Sequence, residues 1–272
     1  MKLYKYKDFT NDSNHPHFLQ IVLEKKIWCA SLDSLNDKDE FNFELDYTPS
    51  FNTETILTQL IAQYRVTDSL ISYSPSFIAN QTLANNIIEE SARPIVENIT
   101  QKSRQELGVT SFSSIVNSTL WERYGGNGNG ACIEINIPDS LIDQSYHRVH
   151  YVPKKIFHID IFLEATLSES NNKEGEVFRN ILLTKTDGWR DEKEIRFIGD
   201  GQNYNFIFDG YITKVIFGGK VPNNVQEKLL YQISNHCNSS NIIIAQLTKS
   251  KAVKTRKMQP AWILVPRAYF IC

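Results

Sequence analysis

Apolar positions along this chain change period several times, and each change marks an element. Met1 to Phe9 alternates around Leu3 and its tyrosines and predicts a short first strand. From His17 to Lys26 the spacing is helical, with Phe18, Ile21 and Val22 on one side. Ile27 to Ser31 (IWCAS) predicts a second strand, followed by a polar turn from Leu32 to Phe41 dense in Asp, Asn and Ser. Helical spacing then runs from Asn52 to Leu107, through Ile56, Leu60, Ile61 and Tyr64 and again through Ile87, Ile88, Ile95 and Ile99. Two or three helices are expected there, broken near Pro75 and kinked at Pro94.

With Gly108 read as a helix stop, Val109 to Ser114 (VTSFSS) predicts a strand. Leu120 to Gly130 is an aromatic, Gly-rich turn leading into a clear strand, Ala131 to Ile137. Val149 to Val152 and Ile156 to Ile161 add strand character, and Gly175 to Thr184 reads as a helix. Strands at Asn205 to Phe208 and Ile212 to Phe217, a helix at Val225 to Cys237 and a buried strand at Ile242 to Leu247 follow. A basic stretch from Lys249 to Lys257 precedes a final apolar run. Strands and helices mix without regular βαβ alternation, so the expected class is α+β. The expected organisation is one domain over 1–272, with 52–107 as a helical insertion.

Composition narrows the function classes only a little. Hydrophobic content of 41% and charged content of 22% are those of an ordinary soluble protein. A net charge of -2 removes a strong global field toward nucleic acid or membranes, though a local basic groove can coexist with it. No stretch reaches the ~18 apolar residues of a membrane span, and no signal-peptide core opens the chain. A cytoplasmic protein with no membrane partner is expected. Cys29, Cys132, Cys237 and Cys272 form no CxxC pair, and the histidines do not cluster, so no metal site is expected.

The densest chemistry lies in Gly188 to Gly199 (GWRDEKEIRFIG). In extended chain Glu192, Glu194 and Arg196 leave one face, and Lys193, Ile195 and Phe197 the other. Two adjacent carboxylates repel unless a cation intervenes, and Arg190, Lys193 and Arg196 are at hand. The face is either solvated or a site. Ser111 and Ser113 share a strand face, as an exposed polar edge or as hydroxyls supporting a carboxylate or a ligand. Gly125, Gly126, Gly128 and Gly130 match no phosphate-loop spacing and read as a turn needing positive φ, although Trp121 and Tyr124 beside them could wall a pocket.

Five stretches in this order resemble the bacterial domain-of-unknown-function family 2971. They are Leu3 to Lys7, Ile27 to Asp37, Ser111 to Ile135, Gly188 to Ile198 and Val215 to Gly219. A basic first strand, an S-x-S strand and a late E-x-E strand also look like the layout of ADP-ribosyltransferases of the Arg-Ser-Glu class. That resemblance implies a split mixed β-sheet with NAD bound as substrate in its cleft. It implies Glu194 stabilising the oxocarbenium-like transition state and Glu192 activating the acceptor. Ser111 and Ser113 would hold the glutamate or the nicotinamide ribose, and Lys5 or Lys7 would face the diphosphate where the class has arginine. The acceptor would be protein, RNA or DNA. A toxin or phage-defence effector restrained by an antitoxin protein is the role such a resemblance implies. Two other readings stay open at this point. One is a metal-dependent nuclease using Glu192, Glu194 and Asp37. The other is a non-enzymatic binding module with the Trp121–Tyr124 turn as its aromatic surface.

Overall fold

The computed structural model describes residues 1–35, 37, 39–65, 73–168, 171–236, 242–249 and 262–265. Cys237, Cys272 and the basic stretch 250–257 lie outside them. In chain order, β1 is Lys2–Asp8, α1 Asn14–Glu24, β2 Lys26–Ser31 and β3 Glu44–Asp46. Three helices follow, α2 (Thr53–Arg65), α3 (Pro75–Ala84) and α4 (Ile88–Glu106). Next come β4 (Leu107–Ser113), α5 (Ser118–Arg123), β5 (Gly130–Asn136), β6 (Tyr146–Arg148), β7 (His150–Val152) and β8 (Ile156–His158). Then α6 (Asp160–Leu167), α7 (Asn171–Leu182), β9 (Thr184–Thr186), β10 (Glu194–Asp200), β11 (Tyr204–Ile207) and β12 (Tyr211–Phe217). The described chain closes with α8 (Asn223–His236), β13 (Ile243–Lys249) and β14 (Trp262–Val265). The protein is α+β, with a mixed sheet.

Local chemistry explains the helical run. Ser74 caps α3 by accepting from the Phe77 amide at 3.2 Å, and Pro75 stands where a helix needs no donor. Pro94 lies within α4. These helices share one apolar cluster with α6 and α7: Ile56, Leu60, Ile88 and Ile99 pack with Phe162, Leu163, Phe178 and Ile181. The 52–107 stretch therefore takes half its core from residues 159–181.

The main sheet runs β11-β2-β4-β1-β5-β12-β13-β14, with β10 on β4 and β6 on β10. Strand β4 is the branch point. One of its edges is filled from end to end by β10, from Glu194 opposite Ser113 to Asp200 opposite Leu107. Its other edge is shared, because β2 pairs at Gly108 and Val109 while β1 pairs at Ser113. Between those points β1 and β2 diverge, and side chains bridge where the ladder is interrupted. Lys5 Nζ donates to the Ser111 carbonyl at 2.8 Å, and Thr110 Oγ1 donates to the Trp28 carbonyl at 2.7 Å. The sheet thus splits at the middle of β4.

Three expectations need correction. Gly108 is no helix stop: α4 ends before it, and it sits inside β4, where a Cβ would collide with the Gly201 carbonyl oxygen. Ile159 to Ile161 do not extend β8. Asp160 instead opens α6, where an acid suits the helix N-terminus, and its carboxylate accepts from Thr53 Oγ1 at 2.8 Å. Gly188 to Gly199 is not one strand either. A 3-10 turn spans Asp187–Glu192, Lys193 takes a left-handed φ of 45°, and β10 begins only at Glu194.

Candidate active site

A cleft of about 230 Å³ opens at the split, lined by β1, β2, β4, the 3-10 turn and β10. Lys5, Lys7, Ser111, Ser113, Tyr124, Glu192 and Glu194 all line it. Residues spread from position 5 to position 194 therefore meet at one place. Trp121 does not join them. It is 3% exposed and packs edge-on against Tyr6, with ring centroids 5.3 Å apart. Its side chain belongs to the core beneath α5, because the helix turns that face inward and leaves Tyr124 toward the cleft.

Glu192 and Glu194 were expected on one strand face, and they converge by another route. The left-handed turn at Lys193 lets both carboxylates reach the same ammonium. Lys185, 3% exposed, donates to Glu192 Oε2 at 3.1 Å and to Glu194 Oε2 at 3.0 Å. The second oxygen of Glu192 accepts from the Tyr124 hydroxyl at 2.6 Å and from Arg123 Nη1 at 3.1 Å. Glu194 Oε1 accepts from Arg196 Nε at 2.8 Å. Arg196, 1% exposed, is also clamped bidentately by Glu40 and donates to the Leu182 carbonyl. Glu40 is itself held in place, its carbonyl accepting from buried Lys155 at 2.7 Å.

The cluster balances Lys185, Arg196 and Arg123 against Glu192, Glu194 and Glu40. Balance is required here, since a buried charge left without a partner costs several kcal/mol, roughly 3–5. Burial by itself pushes the Glu194 carboxyl up. The Arg196 and Lys185 charges, with hydrogen bonds from Arg196 and Ser111, outweigh that and hold it at about 2. Ser113 serves the backbone, donating to the Glu192 carbonyl at 2.6 Å and accepting from the Ile115 amide at 3.1 Å. On the opposite wall, desolvation and then the neighbouring Lys7 charge lower the Lys5 ammonium to about 7, while desolvation also lowers Lys7.

The cations expected to separate the carboxylates were partly the wrong ones. Lys185 takes that place, while Arg196 pairs with Glu194 and Glu40, exposed Arg190 pairs with Asp187, and Lys193 points out from the turn. Lys185, Arg123 and Glu40 carried no readable signal. Lys185 and Glu40 sit in short polar contexts typical of a surface, Arg123 in an aromatic turn, and each is brought in by tertiary structure. Trp189 belongs with them: its ring lies 4.5 Å from Lys185 Nζ and 4.7 Å from the Arg123 guanidinium. The Gly-rich segment holds the expected positive φ at Gly126 and Gly128 but lines the base of β1, where Asp8 closes on Gly126.

A metal ion does not suit this donor set. Every carboxylate in the cluster is already neutralised by a lysine or arginine, and among the described residues no group of three or more His, Cys, Asp or Glu could hold an ion. Among those residues no helix is long and apolar enough to cross a membrane.

Fold and cleft together define an α+β protein with a split sheet and a buried, charge-balanced site at the split. Residues 120–197 match the family model described as protein of unknown function DUF2971, so the family resemblance read from the sequence holds over that segment. The matched segment carries Arg123, Lys185, Trp189, Glu192, Glu194 and Arg196, while Lys5, Glu40 and Ser111 lie before it. No curated protein and no solved structure matches the chain.

Proposed function

We propose that the protein is an NAD-dependent ADP-ribosyltransferase that modifies a macromolecule. The observation carrying this reading is the meeting of Lys5, Lys7, Ser111, Glu192 and Glu194 in one cleft at the sheet split. In this reading Lys5 and Lys7 face the diphosphate as point charges, without the bidentate fork of arginine. Glu194 lies beneath the nicotinamide ribose. As the bond from ribose C1′ to nicotinamide breaks, its electron pair leaves with the nicotinamide and positive charge develops on the ribose. A carboxylate already ionised and fixed by Arg196 and Lys185 stabilises that charge with little reorganisation and no metal. An effector role in the cytoplasm, as a toxin or in phage defence under an antitoxin partner, is the biological setting proposed with it.

The nuclease reading is disfavoured by the saturated carboxylates. The binding-module reading loses its aromatic surface with the burial of Trp121. The test is incubation with labelled NAD and separate pools of protein, RNA and DNA, reading nicotinamide release and label transfer. Label in one pool and a loss of release by at least about 100-fold in Glu194→Gln are expected, the scale of removing one transition-state contact. Undiminished release in that variant would overturn the assignment.

A further inference from the structure

The Arg123 guanidinium closes over one carboxylate oxygen of Glu192, the residue that the transferase reading assigns to the acceptor. It reaches Glu192 Oε1 at 3.1 Å from the end of α5, while Lys185 covers Oε2 and the Tyr124 hydroxyl shares Oε1. The Trp189 ring lies along the same guanidinium at 4.7 Å. Carboxylate at one end and indole along the side are what binds a guanidinium in general. This chain fills that slot with a side chain of its own.

Resting on the transferase reading, we infer that Arg123 is a specificity-determining residue that closes Glu192 to cationic acceptors, so that the acceptor's nucleophilic atom is uncharged. A guanidine substrate would have to displace an internal cation and then place a second positive charge beside Lys185 and Arg196. An uncharged hydroxyl, amide or ring nitrogen meets neither obstacle. Its lone pair forms the new bond to C1′ as the bond to nicotinamide breaks, nicotinamide departs with that bond's electrons, and the acceptor's proton passes to water. Selectivity of this kind works by repulsion of the wrong partner.

The experiment uses labelled NAD with agmatine as a guanidine acceptor, reading nicotinamide release and label on agmatine separately. The wild type is expected to release nicotinamide and to leave agmatine unlabelled. Arg123→Ala opens the slot with Trp189 and the Glu192 oxygen intact and is expected to label agmatine at least tenfold above the wild type. Arg123→Lys keeps a cation on Glu192 and is expected to behave as the wild type does. Agmatine labelled by the wild type, or no gain in Arg123→Ala, overturns the inference while nicotinamide release still upholds the transferase reading. Absence of release from the wild type with every acceptor overturns that reading and the inference with it.

Discussion

The helical cluster and the cleft are both buried, and they are built from opposite materials. Around Phe162 and Ile181 the clustered side chains are apolar, and their helices come largely in sequence order. Around Glu194 the buried groups are charged, with Glu40, Lys185 and Arg196 coming from three separate segments and the more exposed Arg123 reaching in from a fourth. An apolar cluster tolerates loss in proportion to the area and cavity involved. An ionic cluster fails as a unit, because removing one member strands the others. That difference explains why a chain of modest charge can hold six ionised groups in a small volume at no evident excess of either sign. It also means that the site, more than the helices, sets how this protein responds to pH.

The sharpest way to break the comparison is Arg196→Leu. Glu194 and Glu40 would then share a dry site without their common cation. A loss of about 3–5 kcal/mol in a denaturant titration is expected. The pH dependence carries the sign. The folded Glu194 carboxyl lies at about 2 against an ordinary 4.5, so its stabilisation is fully present above about pH 4.5 and is lost as pH falls through about 2. In Arg196→Leu the deficit should shrink on acidification, as the stranded carboxylates take up protons. A deficit constant from neutral pH to pH 4 would mean that Arg196 acts by packing alone. Ile181→Val in the helical cluster supplies the contrast. It removes one methylene from a fully buried side chain, for a loss of about 1 kcal/mol. That loss should not vary with pH.

Legibility in the sequence follows the same division. The helices of 52–107 were readable because packing one face imposes a period, and the break expected near Pro75 falls where α3 begins. The sheet strands were readable for the same reason, with β1, β2, β5 and β12 close to their expected bounds. The two glutamates and the two serines were conspicuous as charged or hydroxylic residues at two-residue spacing. Their partners were not. No local period distinguishes Lys185 in LLTKTDG from a surface lysine, nor Glu40 from the other acids of its turn. Glu192 misled in a second way, since the residues around it alternate like a strand while Lys193 turns the backbone left-handed. Trp121 was expected to wall a pocket beside the glycine-rich turn that follows it, although α5 rolls it into the core against Tyr6.

The smallest effect expected is also the one that joins the two walls of the cleft. Lys5 is desolvated, repelled by Lys7 and only partly compensated by Glu194 and Cys29, and its ammonium lies 5.6 Å from the centre of the Phe112 ring. Folded Lys5 lies at about 7, below its ordinary 10.5, so the unfolded chain holds the proton more firmly between those values. The sign is therefore opposite to that of Glu194: Lys5 costs stability at neutral pH, and the cost fades as pH rises from about 7 toward 10.5. Binding runs the other way. The cation that would meet the NAD diphosphate is lost as pH rises, so KM for NAD should increase as pH rises through about 7. Lys5→Arg should flatten that rise, because a guanidinium keeps its charge throughout the range. A KM for NAD that stays flat in the wild type would remove Lys5 from the diphosphate wall. It would leave Lys5 as the strut that its hydrogen bond to the Ser111 carbonyl already makes it, closing the gap where β1 and β2 part.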